Sequence, residues 1–110
     1  MAQHPTEPLV VETSSSNGWT VIRAVGDLDL ATAPLLVSAV PQDAQNVALD
    51  LSGIRFIDSS GLRGLLDVRS SVDGEVVLLD PSDEVRALLT LTRMTDAFTL
   101  TDGEDALSVP

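Results

Sequence analysis

The stretch Ile57-Asp58-Ser59-Ser60-Gly61-Leu62 joins an apolar segment to an amphipathic one, and the rest of the chain is organised around it. Upstream, residues 47–51 are short and mostly apolar, which is typical of a strand buried on both faces. Downstream, the side chains at 62, 65, 66 and 69, continued by Val72, follow helical spacing and predict a helix with one buried face. The stretch therefore reads as strand, polar turn and helix start.

Two roles compete for the polar residues at this helix entry. Backbone N–H groups in the first turn need acceptors and the helix dipole favours negative charge, so Asp58, Ser59 and Ser60 suit an N-cap. The same residues follow a strand, and α/β sheets place functional groups at the carboxyl ends of their strands. These local features leave both roles open.

Strands and helices are predicted before and after this stretch. An antiparallel hairpin is expected from strands at residues 9–13 and 19–25, because the link at 14–18 ends in Asn-Gly. A polar turn at 26–29 leads to a helix over 31–40 with Pro34 in its first turn. In that helix the residues expected to face the core are Leu35, Leu36, Ala39 and Val40.

The second half of the chain continues the alternation. Residues 52–56 are predicted as a short connection that delivers Asp58 and Ser59 to the edge of the sheet, with Ile54 and Phe56 packed inward. A strand is predicted at residues 75–79 and a helix from residue 81 onward. An edge strand at 97–100 and a last helical turn at 103–108 follow.

Strands that are joined through helices run parallel, with right-handed crossovers. The predicted fold is α/β: a single mixed sheet, with an N-terminal antiparallel hairpin followed by parallel strands and with helices packed against it. A chain of 110 residues corresponds to one domain. We assign this domain to residues 9–108, preceded by a loose tail at residues 1–8.

The charge balance excludes some partners. The chain has 17 acidic residues, six arginines and no lysine, and a net charge of -11. Such a surface repels phosphate backbones and anionic membranes, so we predict no binding to nucleic acid or membranes and a preference for basic protein surfaces. No apolar run is long enough to span a bilayer and no signal peptide is visible, which predicts a soluble cytoplasmic protein.

The residue inventory argues against an enzyme. His4 is the only histidine and lies in the predicted tail, which argues against a hydrolase triad. Cysteine and lysine are absent, which excludes a thiolate nucleophile and a lysine Schiff base. No phosphate-binding glycine motif is present. Asp27, Asp29 and Asp58 have the oxygen ligands that a divalent cation prefers, but turn and cap chemistry is the commoner use of such residues. We predict neither a metal site nor a cofactor.

Three segments together resemble the STAS domain of bacterial anti-sigma-factor antagonists. They are Gly26-Asp27-Leu28-Asp29 followed by Thr32-Ala33, residues 47–52, and Phe56-Ile57-Asp58-Ser59-Ser60-Gly61-Leu62. The resemblance covers residues 9 to 105. It implies that Ser59 is phosphorylated by an anti-sigma factor that is itself a serine kinase of the HATPase type, and that a phosphoserine phosphatase reverses the reaction.

The resemblance also implies a partner switch. The unphosphorylated protein would capture the anti-sigma factor and free the sigma factor, and phosphorylation would release the anti-sigma factor. Asp29 and Asp58 would flank the acceptor, Ser60 would be the more structural cap, and the surrounding partner-binding residues would include Asp27 and Gly61. The free domain is expected to be a monomer, because its strong net charge opposes self-association.

Two other functions stay open from the sequence. A STAS subunit of a transporter or larger signalling assembly would use the same edge without phosphorylation. A nucleotide-binding or small-molecule-binding domain would need a concave apolar site, and the chain has no phosphate loop for it.

The sequence departs from the family near the end of the third helix. The family usually has a Ser/Thr-Gly-Leu type of turn there, whereas this chain has Thr92-Arg93-Met94. Arg93 is therefore expected at a position that prefers glycine, at a cost of about 1 kcal/mol.

Overall fold

The computed structural model describes residues 8–107, and its five strands form one mixed sheet in the order of the sequence. The strands are β1 Val10–Ser16, β2 Trp19–Leu28, β3 Val47–Ile57, β4 Val76–Leu79 and β5 Thr99–Thr101. β1 and β2 are antiparallel and every other neighbouring pair is parallel, which confirms the predicted fold. Most of the predicted tail, residues 1–7, and residue 108 of the predicted domain lie outside the described residues.

The hairpin link is two residues long, not the five predicted at 14–18. Asn17 and Gly18 have φ angles of 57° and 87°, the signature of a type I′ turn. Because this turn matches the twist of the strands it joins, pairing continues to the turn, where Ser16 lies opposite Trp19. Pairing with β2 keeps the three serines at 14–16 in the strand, although serine has a weak strand propensity.

Three helices cover one face of the sheet. They are α1 Ala33–Ala39, α2 Ser59–Ser71 and α3 Asp83–Leu91, and short 3-10 turns follow at Thr95–Ala97 and Glu104–Ala106. Right-handed crossovers between strands added in sequence order place all the helices on the same side. Within residues 8–107, no helix has the length and apolar character needed to cross a membrane.

The first helix is shorter than the predicted span 31–40, and the prediction that Leu35 faces the core is wrong. Leu36 is fully buried, whereas the neighbouring Leu35 is 52% exposed. Consecutive residues lie about 100° apart around a helix, so a single short helix on the sheet buries only one of the two. Ala39 and Val40 pack partly against the core, as expected.

β2 and β3 both run past their predicted ends. Residues 26–28 belong to β2 and not to a turn, and residues 52–56 belong to β3 and not to a connection. The two segments extend because they pair with each other, with Asp27 opposite Phe56 and Leu28 opposite Ile57. Register shifts accommodate the less regular residues between them.

Alternating side chains of the central strands divide the core into two parts. On the helical face, Ile22, Leu49 and Leu78 belong to a large buried cluster with residues of all three helices. A smaller cluster on the opposite face joins Trp19, Val21, Ala48 and Val77 to Leu107. The Asn17 side-chain amide donates to the Leu107 carbonyl at 3.2 Å and helps to fix this C-terminal segment over the sheet.

Arg93 adopts the left-handed conformation that the sequence predicted, with φ of 59°. The Met94 N–H donates to the Leu89 carbonyl at 2.8 Å and the Arg93 N–H donates to the Thr90 carbonyl at 3.2 Å. These two bonds form a Schellman motif, whose left-handed position is usually glycine.

Arg93→Gly is expected to raise the free energy of unfolding by about 0.5 to 1 kcal/mol, because it removes a Cβ from a left-handed residue. Urea denaturation measures the change. The matched control is Ala87→Gly, at an exposed position inside α3, which should lower stability by about 1 kcal/mol. Destabilisation by both substitutions would contradict the assignment of strain to Arg93.

Candidate functional site

The two acidic segments of the sequence meet at the carboxyl edge of β2 and β3. Leu28 and Ile57 are the last paired residues of these strands, and Asp29 and Asp58 directly follow them. The Asp58 N–H also donates to the Leu28 carbonyl at 3.4 Å, which links the two segments. The parallel register therefore brings residues 30 positions apart in the sequence to one edge of the sheet.

Asp58, and not Ser60, is the N-cap of α2. Its carboxylate accepts a hydrogen bond from the Gly61 N–H at 3.0 Å, and its carbonyl accepts from the Leu62 N–H at 3.0 Å. The prediction of Ser60 as the structural cap is wrong, because Ser60 already lies within the helix. The residue before the helix has the extended backbone that turns a side chain back toward the first free N–H groups.

Gly61 lets the first turn of α2 lie directly against the end of β2. A Cβ atom at this position would overlap the carbonyl oxygen of Leu28 and would lie 2.8 Å from Cγ1 of Ile57. All three of the nearest atoms belong to the strand ends that carry the site, namely the Leu28 carbonyl group and the Ile57 side chain. Glycine is required here for close approach.

Asp29 organises the turn between β2 and α1. Its carboxylate accepts from the N–H groups of Ala31 at 3.0 Å and Thr32 at 3.1 Å. The buried Thr32 hydroxyl donates to the Asp27 carbonyl at 2.7 Å and accepts from the Asp29 N–H at 2.9 Å. This turn fixes where the Asp29 carboxylate lies.

Asp27 occupies a different environment from the other two aspartates. It lies inside β2 and only 2% of it is exposed, so it supports the edge from within the fold and does not form its surface. Among residues 8–107, no three histidine, aspartate or glutamate side chains are grouped as a metal site would require. Asp27, Asp29 and Asp58 thus form no cation-binding cluster.

Ser59 is more exposed than Asp29, Asp58 and Ser60, which are all half-buried. It is the first residue of α2 and is exposed, whereas Ser60 is half-buried. Throughout the part of the chain that the structure describes, no group forms a hydrogen bond with the Ser59 hydroxyl. The hydroxyl can therefore enter a reaction or an interface without breaking an existing interaction.

A groove of about 750 Å³ between α1 and α2 runs alongside Ser59. Leu30, Pro34 and Val37 supply apolar lining from the α1 side. From α2, the lining includes Ser59, Ser60, Arg63 and Asp67. Leu30 is 77% exposed, so its side chain is accessible to a partner that enters the groove.

Sequence reasoning missed this groove. Leu30 stands alone as an apolar residue after an acidic turn, and Arg63 lies one helical turn beyond Ser59. Both signals were present, but the approach of α1 to α2 that joins them is a tertiary contact. Ala33 and Gly64 make that approach close, since a Cβ on Gly64 would lie 2.9 Å from the Cβ of Ala33.

Solved structures share this fold. An anti-sigma factor antagonist from Mycobacterium paratuberculosis superposes with a TM-score of 0.78 at 23% identity, over 88% of each chain. The unphosphorylated form of the anti-sigma factor antagonist SpoIIAA has a TM-score of 0.68 at 19% identity, over 87% of this chain and 90% of that one. A sulfate transporter family protein from Wolinella succinogenes has a TM-score of 0.68 at 16% identity, over 84% and 83%.

The sequence comparisons identify the family. No curated protein sequence matches the chain. The model of the STAS domain matches residues 10–106, which include all five strands, all three helices and the edge that carries Asp29, Asp58 and Ser59. The chain therefore belongs to the STAS domain family.

Proposed function

We propose that this chain is an anti-sigma-factor antagonist whose binding to an anti-sigma factor is switched off by phosphorylation of Ser59. The observation that carries the proposal is the exposed Ser59 hydroxyl, free of hydrogen bonds within the described chain, beside a partly apolar groove. The chain is a regulatory protein and not an enzyme, as its family indicates. Structural neighbours named as anti-sigma-factor antagonists support this choice of partner.

The phosphoryl donor is ATP bound to the partner, a serine kinase of the HATPase type. The Ser59 oxygen forms a bond to the γ-phosphorus, the bond to the β,γ-bridging oxygen breaks, and ADP and the hydroxyl proton leave. Catalysis of phosphoryl transfer rests on positioning and charge stabilisation. In this proposal the kinase supplies both, through its magnesium and its base, and this chain supplies the acceptor hydroxyl. A phosphoserine phosphatase then hydrolyses the O–P bond and restores the hydroxyl.

Asp29 and Asp58 position the acceptor in this proposal. Asp58 caps α2 and so fixes the backbone of Ser59, while Asp29 orders the neighbouring turn. The carboxylates already accept backbone hydrogen bonds, so they define a rigid acidic rim for the kinase to recognise. Ser60 and Gly61 belong to the same helix entry and complete the partner-binding surface.

The electrostatics of the edge make an added phosphate decisive for binding. Phosphoserine adds a charge of about -1.5 to -2 near neutral pH. In the free domain this charge is solvated at a helix start, where the dipole favours an anion. In a complex it would lie beside Asp29 and Asp58 and would have to be desolvated against a surface that fits a small hydroxyl.

The overall charge sets the class of partner surface. With a net charge of -11, the chain favours a basic protein surface and disfavours nucleic acid and anionic membranes. The switch operates in the cytoplasm, on a domain that is monomeric when free.

The second candidate is a STAS regulatory subunit of a transporter or larger signalling assembly. The sulfate transporter family protein of the same fold favours it. In that case the same groove binds its partner without phosphorylation. Genomic neighbours discriminate the two functions, since a gene for a HATPase-type kinase beside this one supports the first and a permease operon supports the second.

Incubation with a cognate kinase and ATP is expected to add one phosphate to the wild type and none to Ser59→Ala, as measured by intact-mass spectrometry. The matched control is Ser70→Ala, which removes an exposed hydroxyl at the other end of α2 and should leave labelling intact. Labelling of Ser59→Ala to the wild-type level would refute Ser59 as the acceptor.

A further inference from the structure

Arg63 is a cation with no assigned role at the edge of the proposed switch. It lies in α2, is exposed, and lines the same groove as Ser59 and Ser60. Across residues 8–107 it forms no hydrogen bond or ion pair. In a chain with only six positive side chains and a net charge of -11, an uncommitted arginine at this place is unusual.

The other arginines of the second and third helices are committed or distant. Arg69 donates to the Ala97 carbonyl at 2.8 Å and lies over the Phe98 ring. Arg86 pairs with Asp102 at 3.1 Å. Arg93 follows the end of α3, at the opposite edge of the sheet from the helix starts. Arg63 is therefore the arginine of these helices that is available to Ser59.

Helix geometry directs Arg63 toward Ser59. The two residues are four positions apart in α2, so their Cβ atoms lie about 5 to 6 Å apart on one face of the helix. Side chains in a helix lean toward its N-terminus, so the long arginine side chain extends in the direction of Ser59. The reach of a guanidinium covers the remaining distance to a group attached to the Ser59 oxygen.

The order of charges along the helix distinguishes the two acids that Arg63 can meet. Asp67 lies four residues after Arg63, and a pair with the acid on the C-terminal side is the weaker arrangement. A phosphate on Ser59 would place the acid on the N-terminal side, which is the favourable order. The absence of an Arg63–Asp67 ion pair within the described residues agrees with this difference.

We propose that Arg63 holds the phosphate of phosphorylated Ser59 through an ion pair within α2, a role that rests on the proposed function. The guanidinium fork suits phosphate oxygens and adds charge-assisted hydrogen bonds to the helix start. Arg63 thereby offsets the repulsion from Asp29 and Asp58 and stabilises the phosphorylated free domain. When this ion pair forms, the Arg63 side chain turns from the groove wall toward Ser59, which changes the surface that the partner contacts.

Phosphorus NMR tests the pair without any kinase. Phosphoserine is incorporated at position 59 during protein synthesis, and the second pKa of the phosphate is measured by titration in wild type, Arg63→Gln and Arg63→Lys. A nearby cation stabilises the dianion, whereas Asp29, Asp58 and Asp67 act in the opposite direction. We expect the phosphate pKa to rise by about 0.3 pH unit or more in Arg63→Gln, and by less in Arg63→Lys.

The matched control is Arg93→Gln, which removes the same charge at the opposite edge of the sheet. An equal rise in Arg93→Gln and Arg63→Gln would overturn the proposal, because net charge would then explain both. An unchanged phosphate pKa in Arg63→Gln would also overturn it. Since the phosphoserine is incorporated during protein synthesis, either result is independent of whether a kinase modifies Ser59, which the labelling of Ser59→Ala tests separately.

Discussion

Phosphoserine at position 59 is expected to weaken binding of the anti-sigma factor by roughly one and a half to three and a half orders of magnitude. Burying an unpaired charge in an interface costs roughly 2 to 5 kcal/mol, and each 1.4 kcal/mol is about a tenfold loss of affinity. The charge is added beside Asp29 and Asp58, whose carboxylates already make this edge acidic. The loss requires no refolding, because the exposed helix start accommodates the phosphate in the free domain.

A pull-down tests this expectation with four immobilised forms as baits: the wild type, Ser59→Ala, Ser59→Asp and the phosphoserine form. The affinity of each form for the recovered partner is then measured by calorimetric titration. Wild type and Ser59→Ala should bind alike, because a missing hydroxyl adds no charge. Ser59→Asp should bind more weakly and the phosphoserine form most weakly, since a carboxylate carries less charge than a phosphate. Equal affinity of the wild type and the phosphoserine form would refute the electrostatic switch.

Gly61→Ala is expected to lower the free energy of unfolding by about 2 kcal/mol. Alanine gains about 1 kcal/mol of helix propensity over glycine, but its Cβ would overlap the Leu28 carbonyl oxygen. Overpacking of this kind costs about 3 kcal/mol, because the group it meets is backbone of a paired strand and cannot rotate away. The steric cost therefore outweighs the gain in propensity.

Urea denaturation of Gly61→Ala measures this loss, with Ser70→Ala as the matched control. Ser70 is an exposed residue of the same helix, so its substitution should change stability by no more than about 0.5 kcal/mol. A Gly61→Ala variant as stable as the wild type would show that α2 can move away from β2 at no cost. The close contact would then not fix the position of Ser59.

Much of the fold follows from local patterns in the sequence. The apolar run at 47–51 forms the buried start of β3, and the helical spacing from Leu62 onward forms α2. The Asn17-Gly18 turn and the Ser82 cap of α3 lie where their conformational preferences predict, and Ser82 accepts from the Val85 N–H at 3.3 Å. Each of these signals depends on a few neighbouring residues, so no knowledge of the tertiary structure is needed.

The cap of α2 is a local error, since Asp58 and not Ser60 accepts from the Gly61 N–H, but the larger errors involve contacts between segments distant in sequence. Residues 26–28 and 52–56 each contain a glycine, a residue depleted in strands, yet both segments form strands because each supplies the partner of the other. Leu35 has the same hydrophobicity as Leu36 but points away from the sheet. Pairing and packing decide these cases, because propensities of a few tenths of a kcal/mol are smaller than the free energy of a completed ladder or a buried leucine.

The sequence by itself determined the family resemblance, the order of the elements and the position of Ser59 at the start of a helix, since all three depend on local patterns. Only the tertiary structure decided that Asp27 is buried, and that Leu30 and Arg63 share a groove with Ser59. The physical reason is that these features depend on two tertiary contacts. The parallel register of β2 and β3 brings together two segments distant in sequence, and the close approach of α1 to α2 forms the groove between them.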